Sequence, residues 1–196
     1  MGKIEVKFKP DDVSWDDIHL LIVEAHSKNI SRGIVTGSTK LSGEELEQRI
    51  GADGRCVVAL ADGKLIGTTS VSFFYGRHWY DRGKKVAHSK FTALLPKYQG
   101  IGIREEMMQM INDYIKDVGA EMMDGDTPIE NTIVRENARR NGFVEVAVRP
   151  FIGHYSVVFV KWFGPPPFPR WYCHFRFWLS KMLVMIRYNR QGKKRL

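Results

Sequence analysis

The feature that most constrains this chain is Gln99-Gly100-Ile101-Gly102, a glycine turn between an apolar extended run and a long amphipathic helix. Val86 to Leu95 reads as the strand before it. After it, Ile103, Met107, Met110, Ile111, Tyr114 and Val118 recur at helical spacing until Gly119 stops the helix. The first turn of a helix leaves backbone N–H groups without carbonyl partners, and its dipole favours negative charge there. Small residues let a phosphate approach those N–H groups, so a pyrophosphate is the natural occupant. Glycines that only permit a tight strand-to-helix turn would leave the same mark. A P-loop is excluded, because Ile103-Arg104 follow Gly102 in place of Lys-Ser/Thr. The dinucleotide fingerprint is excluded too, because Glu105 stands where its third glycine belongs.

The segments around this turn alternate in type. Ile4 to Phe8 alternates as a strand would. Ser14 with Asp17 caps a helix whose apolar face is Ile18, Leu21, Ile22 and Ala25, and Ser42 with Glu45 caps a second that ends near Ile50-Gly51. Asn29 to Thr39 reads as a loop. Cys56 to Leu60 and Lys64 to Phe73 are strands joined by the hairpin signal Asp62-Gly63. Tyr75 to Lys85 is a polar, aromatic loop. Glu121 to Asp124 reads as a short strand, Asn131 to Asn141 as a helix, and Phe143 to Val148 with Tyr155 to Trp162 as a closing hairpin. The expectation is an α+β fold, a mixed sheet flanked by helices, over residues 1–163. Gly164-Pro165-Pro166-Pro167 opens a Pro-rich linker and tail over residues 164–196.

Charge is divided unevenly. The net charge is +8, yet ten Lys/Arg and no Asp or Glu follow Glu145, which leaves residues 1–145 at 20 basic against 22 acidic. The basicity belongs to the tail, which argues against a nucleic-acid-binding body and for an anionic partner at the tail. From Trp171 onward, Phe175, Trp178, Leu179, Met182 and Ile186 recur at helical spacing, with Arg176, Ser180, Arg187 and Arg190 on a narrow opposite stripe. Lys193-Lys194-Arg195 adds charge beyond. Arg176 and Lys181 interrupt the run, so a spanning segment is excluded. The tail is expected to be a basic amphipathic helix lying on an anionic membrane, or else packed on the domain or on a partner subunit of a homodimer. Only two cysteines occur, Cys56 and Cys173, and no Cys/His cluster has metal-ligand spacing, so neither a disulfide framework nor a metal site is expected. The N-terminus carries no apolar signal segment. A cytoplasmic protein, peripheral at a membrane if the tail docks there, is the expectation.

Leu94-Leu95-Pro96-Lys97-Tyr98-Gln99-Gly100-Ile101-Gly102-Ile103-Arg104 resembles the coenzyme A segment of the GNAT superfamily of N-acetyltransferases. In that pattern an apolar strand and a Pro precede Gln/Arg-x-x-Gly-x-Gly/Ala at the start of a helix. Gln99 and Gly102 match, and Arg104 departs from the last position. Asn131 followed by Gly142-Phe143 is similar to the second signature, and Ala61 to Gly67 fits the central hairpin. The resemblance covers about residues 4–162.

It implies an acyltransferase that takes acetyl-CoA as co-substrate and an amine as acceptor. It places the coenzyme on Ala93, Leu94, Leu95, Gln99, Gly100, Ile101, Gly102, Ile103, Arg104 and Asn131. A backbone N–H at the end of the Val86–Leu95 strand would hold the developing oxyanion. Many relatives carry a Tyr four residues before the Gly-Phe to protonate the thiolate, and Ala138 stands there. Tyr155, Tyr98 or water is then left as the acid. Parity places His88, Lys90, Thr92 and Leu94 on one face, with His88 the best-suited titrating group for a base. Its alternative is a surface histidine. Asp124 and Asp126 are further base candidates, or else a turn around Gly125. The loops Asn29–Thr39 and Tyr75–Lys85 are expected to form the acceptor pocket. There Tyr75, His78, Trp79, Tyr80 and Asp81 would stack on a flat ligand or cover the core. His19 and His26 are read as surface or core-edge residues. The rival function is a catalytically weak adaptor of the same fold at a membrane surface.

Overall fold

A computed structural model describes the backbone of residues 2–31, 37–151 and 154–192. Among these residues lie seven β-strands and six α-helices, which fall into two compact units. The first comprises Met1–Phe74 and Ala87–Ala120, and the second Tyr75–Val86 and Glu121–Leu196.

The first unit is a meander with strand order β1-β2-β3-β4: β1 (Ile4–Phe8), β2 (Arg55–Ala61), β3 (Lys64–Tyr75) and β4 (Lys85–Leu94). The β2–β3 loop is the Asp62-Gly63 pair, both residues at positive φ (48° and 77°), as a two-residue hairpin on right-twisted strands requires. Helices α1 (Trp15–Ala25) and α3 (Gly43–Ile50) begin at full capping boxes, Ser14 with Asp17 and Ser42 with Glu45. Between them the expected loop is helical at both ends, with α2 (Ser27–Ser31) and a 3₁₀ turn at Gly37–Lys40; residues 32–36 lie outside the described residues.

Alternation along β2 sorts the core. Cys56, Val58 and Leu60 pack with Ile18 and Ile22 of α1, Leu46 of α3, and Ala93 of β4. The opposite face meets α4 (Ile103–Asp117), whose Met107, Ile111 and Ile115 are fully buried. Gly67 on β3 faces this helix. A Cβ there would stand 2.8 Å from Leu94 Cδ1 and 3.2 Å from Met107 Cε, so the glycine lets the end of β4 and α4 meet.

The second unit has strand order β5-β7-β6: β5 (Met122–Pro128), β6 (Val144–Phe151) and β7 (His154–Trp162), all antiparallel. β5 runs four residues beyond the expected Asp124, straight through Gly125. No turn is centred on Gly125. It is glycine because a Cβ there would lie 2.8 Å from the Phe159 ring across the ladder. Helix α5 (Thr132–Arg140) starts at Asn131 and ends at Gly142, whose φ is +84°.

α6 (Arg170–Gly192) packs along β6 within this unit. Cys173 sits at 1% exposure in a core with Tyr80, Val86, Met122, Val146, Val158 and Val160, and Ser180 Oγ accepts the Val148 N–H of β6 at 2.9 Å. The sequence stripe containing Arg176 and Ser180 therefore lies nearer the protein than the broad apolar stripe does. Lys193-Lys194-Arg195 and the side chains of Arg187 and Arg190 lie outside the described residues.

Gly125→Ala is expected to cost about 1–3 kcal/mol by overpacking against Phe159. Adding Phe159→Leu should recover part of that loss relative to the sum of the single changes, as a double-mutant cycle by urea denaturation would show.

Candidate functional site

The site begins where β4 ends. Phe91 has φ of +52° inside β4, a conformation rare for a bulky side chain and a local kink in the strand. Alternation does not carry through it. Lys90 Nζ donates to the Arg49 carbonyl of α3 at 2.7 Å. Thr92 Oγ1 instead lies 2.9 Å from Thr69 Oγ1, which reaches Met108 Sδ of α4. The shared face expected for His88, Lys90, Thr92 and Leu94 is thus broken at residue 91. His88 is half-buried and meets the Phe74 ring edge-on at 6.1 Å.

Beyond the kink, Ala93 and Leu94 are buried by their side chains, so any ligand meets them through backbone. The Leu95 N–H is bound to the Ile66 carbonyl of β3 at 2.9 Å, which removes it as an oxyanion donor. The backbone groups of Leu94 point to the opposite strand edge by alternation. The Leu94 carbonyl accepts the Gln99 side-chain amide at 3.2 Å, so Gln99 ties the turn back to the strand it leaves.

Pro96–Tyr98 forms one 3₁₀ turn; Gly100 follows at φ +80° and Gly102 at φ +89°. Gly102 is the N-cap of α4 and supplies no side-chain cap. The first backbone bond into the helix is Glu106 N–H to Gly102 C=O at 3.1 Å, so helix geometry gives the N–H groups of Ile103, Arg104 and Glu105 no carbonyl within the helix. A Cβ at Gly100 or Gly102 would touch nothing within 4 Å. Both glycines answer to left-handed backbone rather than to crowding by protein, and the space above them is open. A strand end, a left-handed glycine turn and an uncapped helix start make an anion cradle of the kind that takes a pyrophosphate.

In the second unit the Asn131 side chain caps α5, its Oδ1 accepting the Val134 N–H at 3.3 Å. Ala138 is half-buried on that helix, and its carbonyl accepts the Asn141 and Phe143 N–H groups. Register places Tyr155 of β7 on the face of Val157 and Phe159. Asp124 and Asp126 lie on the other face with Val158 and Val160; Asp124 is buried and Asp126 exposed.

α5 is locked by charge. Glu145, 8% exposed, accepts Arg135 Nε at 2.8 Å and Arg139 Nη2 at 3.0 Å. Arg135 Nη1 also donates to the Ile129 carbonyl at 2.9 Å. Burial acts to raise the Glu145 pKa. Its two arginines outweigh that and leave it below the usual carboxylate value.

The loop Tyr75–Lys85 uses most of its aromatic residues for packing. Tyr80 is buried and hydrogen-bonded by Arg149; burial pushes its hydroxyl pKa up, against the charge of Arg149. Trp79 packs edge-on to Phe168 and Tyr172, and Asp81 is buried and accepts the His78 N–H. Tyr75 alone of its tyrosines stays open, at 70% exposure.

One histidine expected at the surface or core edge lies close to the end of β4. His26, at the C-cap of α1, has Nδ1 3.5 Å from the Asn29 amide, and its ring interacts with the backbone of Thr92 just past the kink. Burial holds its pKa below the ordinary value, with the Thr92 backbone acting the other way. Nothing in the local sequence marks it, because the contact spans the fold.

The profile of the Acetyltransferase (GNAT) family matches residues 15–143. No significant match is found among curated protein sequences. Solved structures show the same fold at low identity. A GNAT-family acetyltransferase from Staphylococcus aureus is 12% identical, with a TM-score of 0.65 over 83% of this chain and 100% of its own. The PaiA N-acetyltransferase of Thermoplasma acidophilum, solved with coenzyme A, is 19% identical with a TM-score of 0.57 over 82% and 99%. YncA of Salmonella typhimurium, solved with acetyl-CoA, is 15% identical with a TM-score of 0.58 over 85% and 97%. The chain belongs to the GNAT acetyltransferase family, whose members move an acyl group from acyl-CoA to an amine.

Because the folded Glu145 carboxyl titrates below its unfolded value, its stabilisation is present above the ordinary carboxylate range and is lost as pH falls through the lowered value. Glu145→Gln is expected to cost about 1–3 kcal/mol at neutral pH, chiefly by leaving the largely buried Arg135 without its charged partner, since Arg139 is half-exposed. The gap to the parent should narrow in strong acid, as chemical denaturation across pH would show.

Proposed function

We propose that this protein transfers an acetyl or other acyl group from acyl-CoA to a primary amine on a small or glycan-like acceptor. The observation that carries the reading is the left-handed turn Gln99–Gly102 at the open N-terminus of α4. The N–H groups of Ile103, Arg104 and Glu105 would hold the pyrophosphate, with Gly100, Ile101 and Gly102 letting it approach and Gln99 fixing the turn. The backbone at Ala93 and Leu94 would meet the pantetheine arm, and the Leu94 N–H is the donor proposed for the oxyanion. Leu95 would serve only by fixing the strand end. Asn131 is proposed for the coenzyme arm on the strength of its spacing to Gly142-Phe143.

Most of the rate would come from placing a neutral amine against the thioester carbonyl. His88 remains a proposed base, and His26 joins it, since burial keeps its imidazole neutral and able to accept a proton. Tyr155 is the proposed acid in place of the tyrosine that Ala138 replaces. The adaptor reading draws on Ala138 and the basic tail and is tested by the same experiments.

Acetyl-CoA at one hundred times its Kd should stabilise the native state by about 2.7 kcal/mol, read as a rise in Tm. Gly102→Trp should abolish that rise while its own Tm, measured without ligand, still shows a cooperative fold. An undiminished rise in the variant would remove the turn from the site. Ala138→Tyr should leave turnover of acetyl-CoA with an amine panel equal to or above that of the parent. A large loss would mean that Ala138 makes room for another group.

A further inference from the structure

The second unit carries an apolar surface that acyl transfer does not use. α6 is fixed to β6 by Cys173 and Ser180, and to the Tyr75–Lys85 loop by Tyr172 against Trp79. Arg176 lies over the Trp79 ring at 4.9 Å, which holds that guanidinium at the seam. With this side committed, the opposite side of α6 is open. Trp171, Phe175, Trp178, Met182, Met185 and Ile186 are 69%, 52%, 55%, 39%, 56% and 44% exposed. Their spacing of three and four residues, broken only by the Met185-Ile186 step, forms one continuous stripe over four turns. Scattered surface apolar residues are ordinary; a stripe of this length on a docked helix marks an interaction surface.

Charge selects the occupant. No acidic residue follows Glu145, and α6 carries Arg170, Arg176, Lys181, Arg187 and Arg190. By helical position Arg170 and Lys181 border the apolar stripe along one edge, while Arg176 is held at the seam by the Trp79 ring. A second copy of this helix would offer that basic edge no acidic partner. An anionic bilayer would pair with that edge, with the apolar stripe in the acyl boundary and the two tryptophans at headgroup level. Among the described residues no helix is long and apolar enough to cross a membrane, so the mode is in-plane.

We propose that the outer face of α6 docks the protein on an anionic membrane surface. The inference is independent of acyl transfer. The full chain should co-sediment with vesicles of phosphatidylcholine containing about one-third phosphatidylglycerol, and not with pure phosphatidylcholine. Raising salt to about 0.5 M should lower the partition at least roughly tenfold. The triple variant Phe175→Ser, Trp178→Ser, Met182→Ser should lose binding by at least about tenfold, with Tm and any acetyl-CoA shift retained.

Should the triple variant fail to fold, brominated phosphatidylglycerol gives a second reading. It should quench the parent's tryptophan emission and spare most of it in Trp171→Phe, Trp178→Phe. Absence of vesicle binding overturns the proposal, as does binding that the triple variant leaves unchanged or emission that brominated lipid leaves unquenched. A parent that is dimeric in solution, becomes monomeric in the triple variant and ignores vesicles assigns the face to a second copy instead.

Discussion

The arrangement depends on backbone N–H groups that have no carbonyl to bind. α4 starts at a glycine in left-handed conformation, without a side-chain cap, so its first turn presents unpaired donors and the positive end of a dipole. α1 and α3 satisfy the same need with capping boxes built from their own side chains. α4 has no such cap. The rest of the first unit holds that opening in place. Gly67 admits Leu94 and Met107 to one another, and Gln99 and Leu95 bind the turn and the strand end to their neighbours.

A second constraint is the kink at Phe91. A left-handed residue in a strand costs on the order of 1–3 kcal/mol and persists because its surroundings fix it. Phe91 packs against the α1–α3 core, which anchors it. The kink re-aims the residues that follow, sending Thr92 toward α4 while Lys90 reaches α3. It also brings the backbone of Thr92 against His26, so a histidine from the first helix and the end of β4 share one neighbourhood. The chemistry proposed for the strand end depends on this local breach of regular alternation.

In the second unit the competing demands are packing and exposure. The aromatic residues of the Tyr75–Lys85 loop look equally suited to a ligand or a core, and most go to the core, because Phe168 and Tyr172 arrive from the chain's end to cover them. α6 reverses the usual helix polarity. Its narrow stripe with Ser180 and Cys173 meets protein, since Ser180 can accept an edge-strand N–H that no apolar side chain could satisfy. Its broad apolar stripe is left facing outward.

Local signals by themselves determined the elements and the turn. Capping pairs at Ser14 and Ser42, the Asp62-Gly63 hairpin and the helical spacing after Gly102 are written in neighbouring residues, because caps, tight turns and amphipathic faces are short-range effects. The turn proposed for the coenzyme was legible for the same reason, since its two glycines and the helix start are consecutive. Tertiary structure decided what depends on partners distant in sequence. It made Gly125 a contact with Phe159 rather than a turn, took the Leu95 N–H for Ile66, and set His26 beside Thr92. It also turned α6 so that its apolar stripe faces outward, a choice of face that amphipathic spacing cannot make, because periodicity defines two sides of a helix and only the neighbour decides which one is buried.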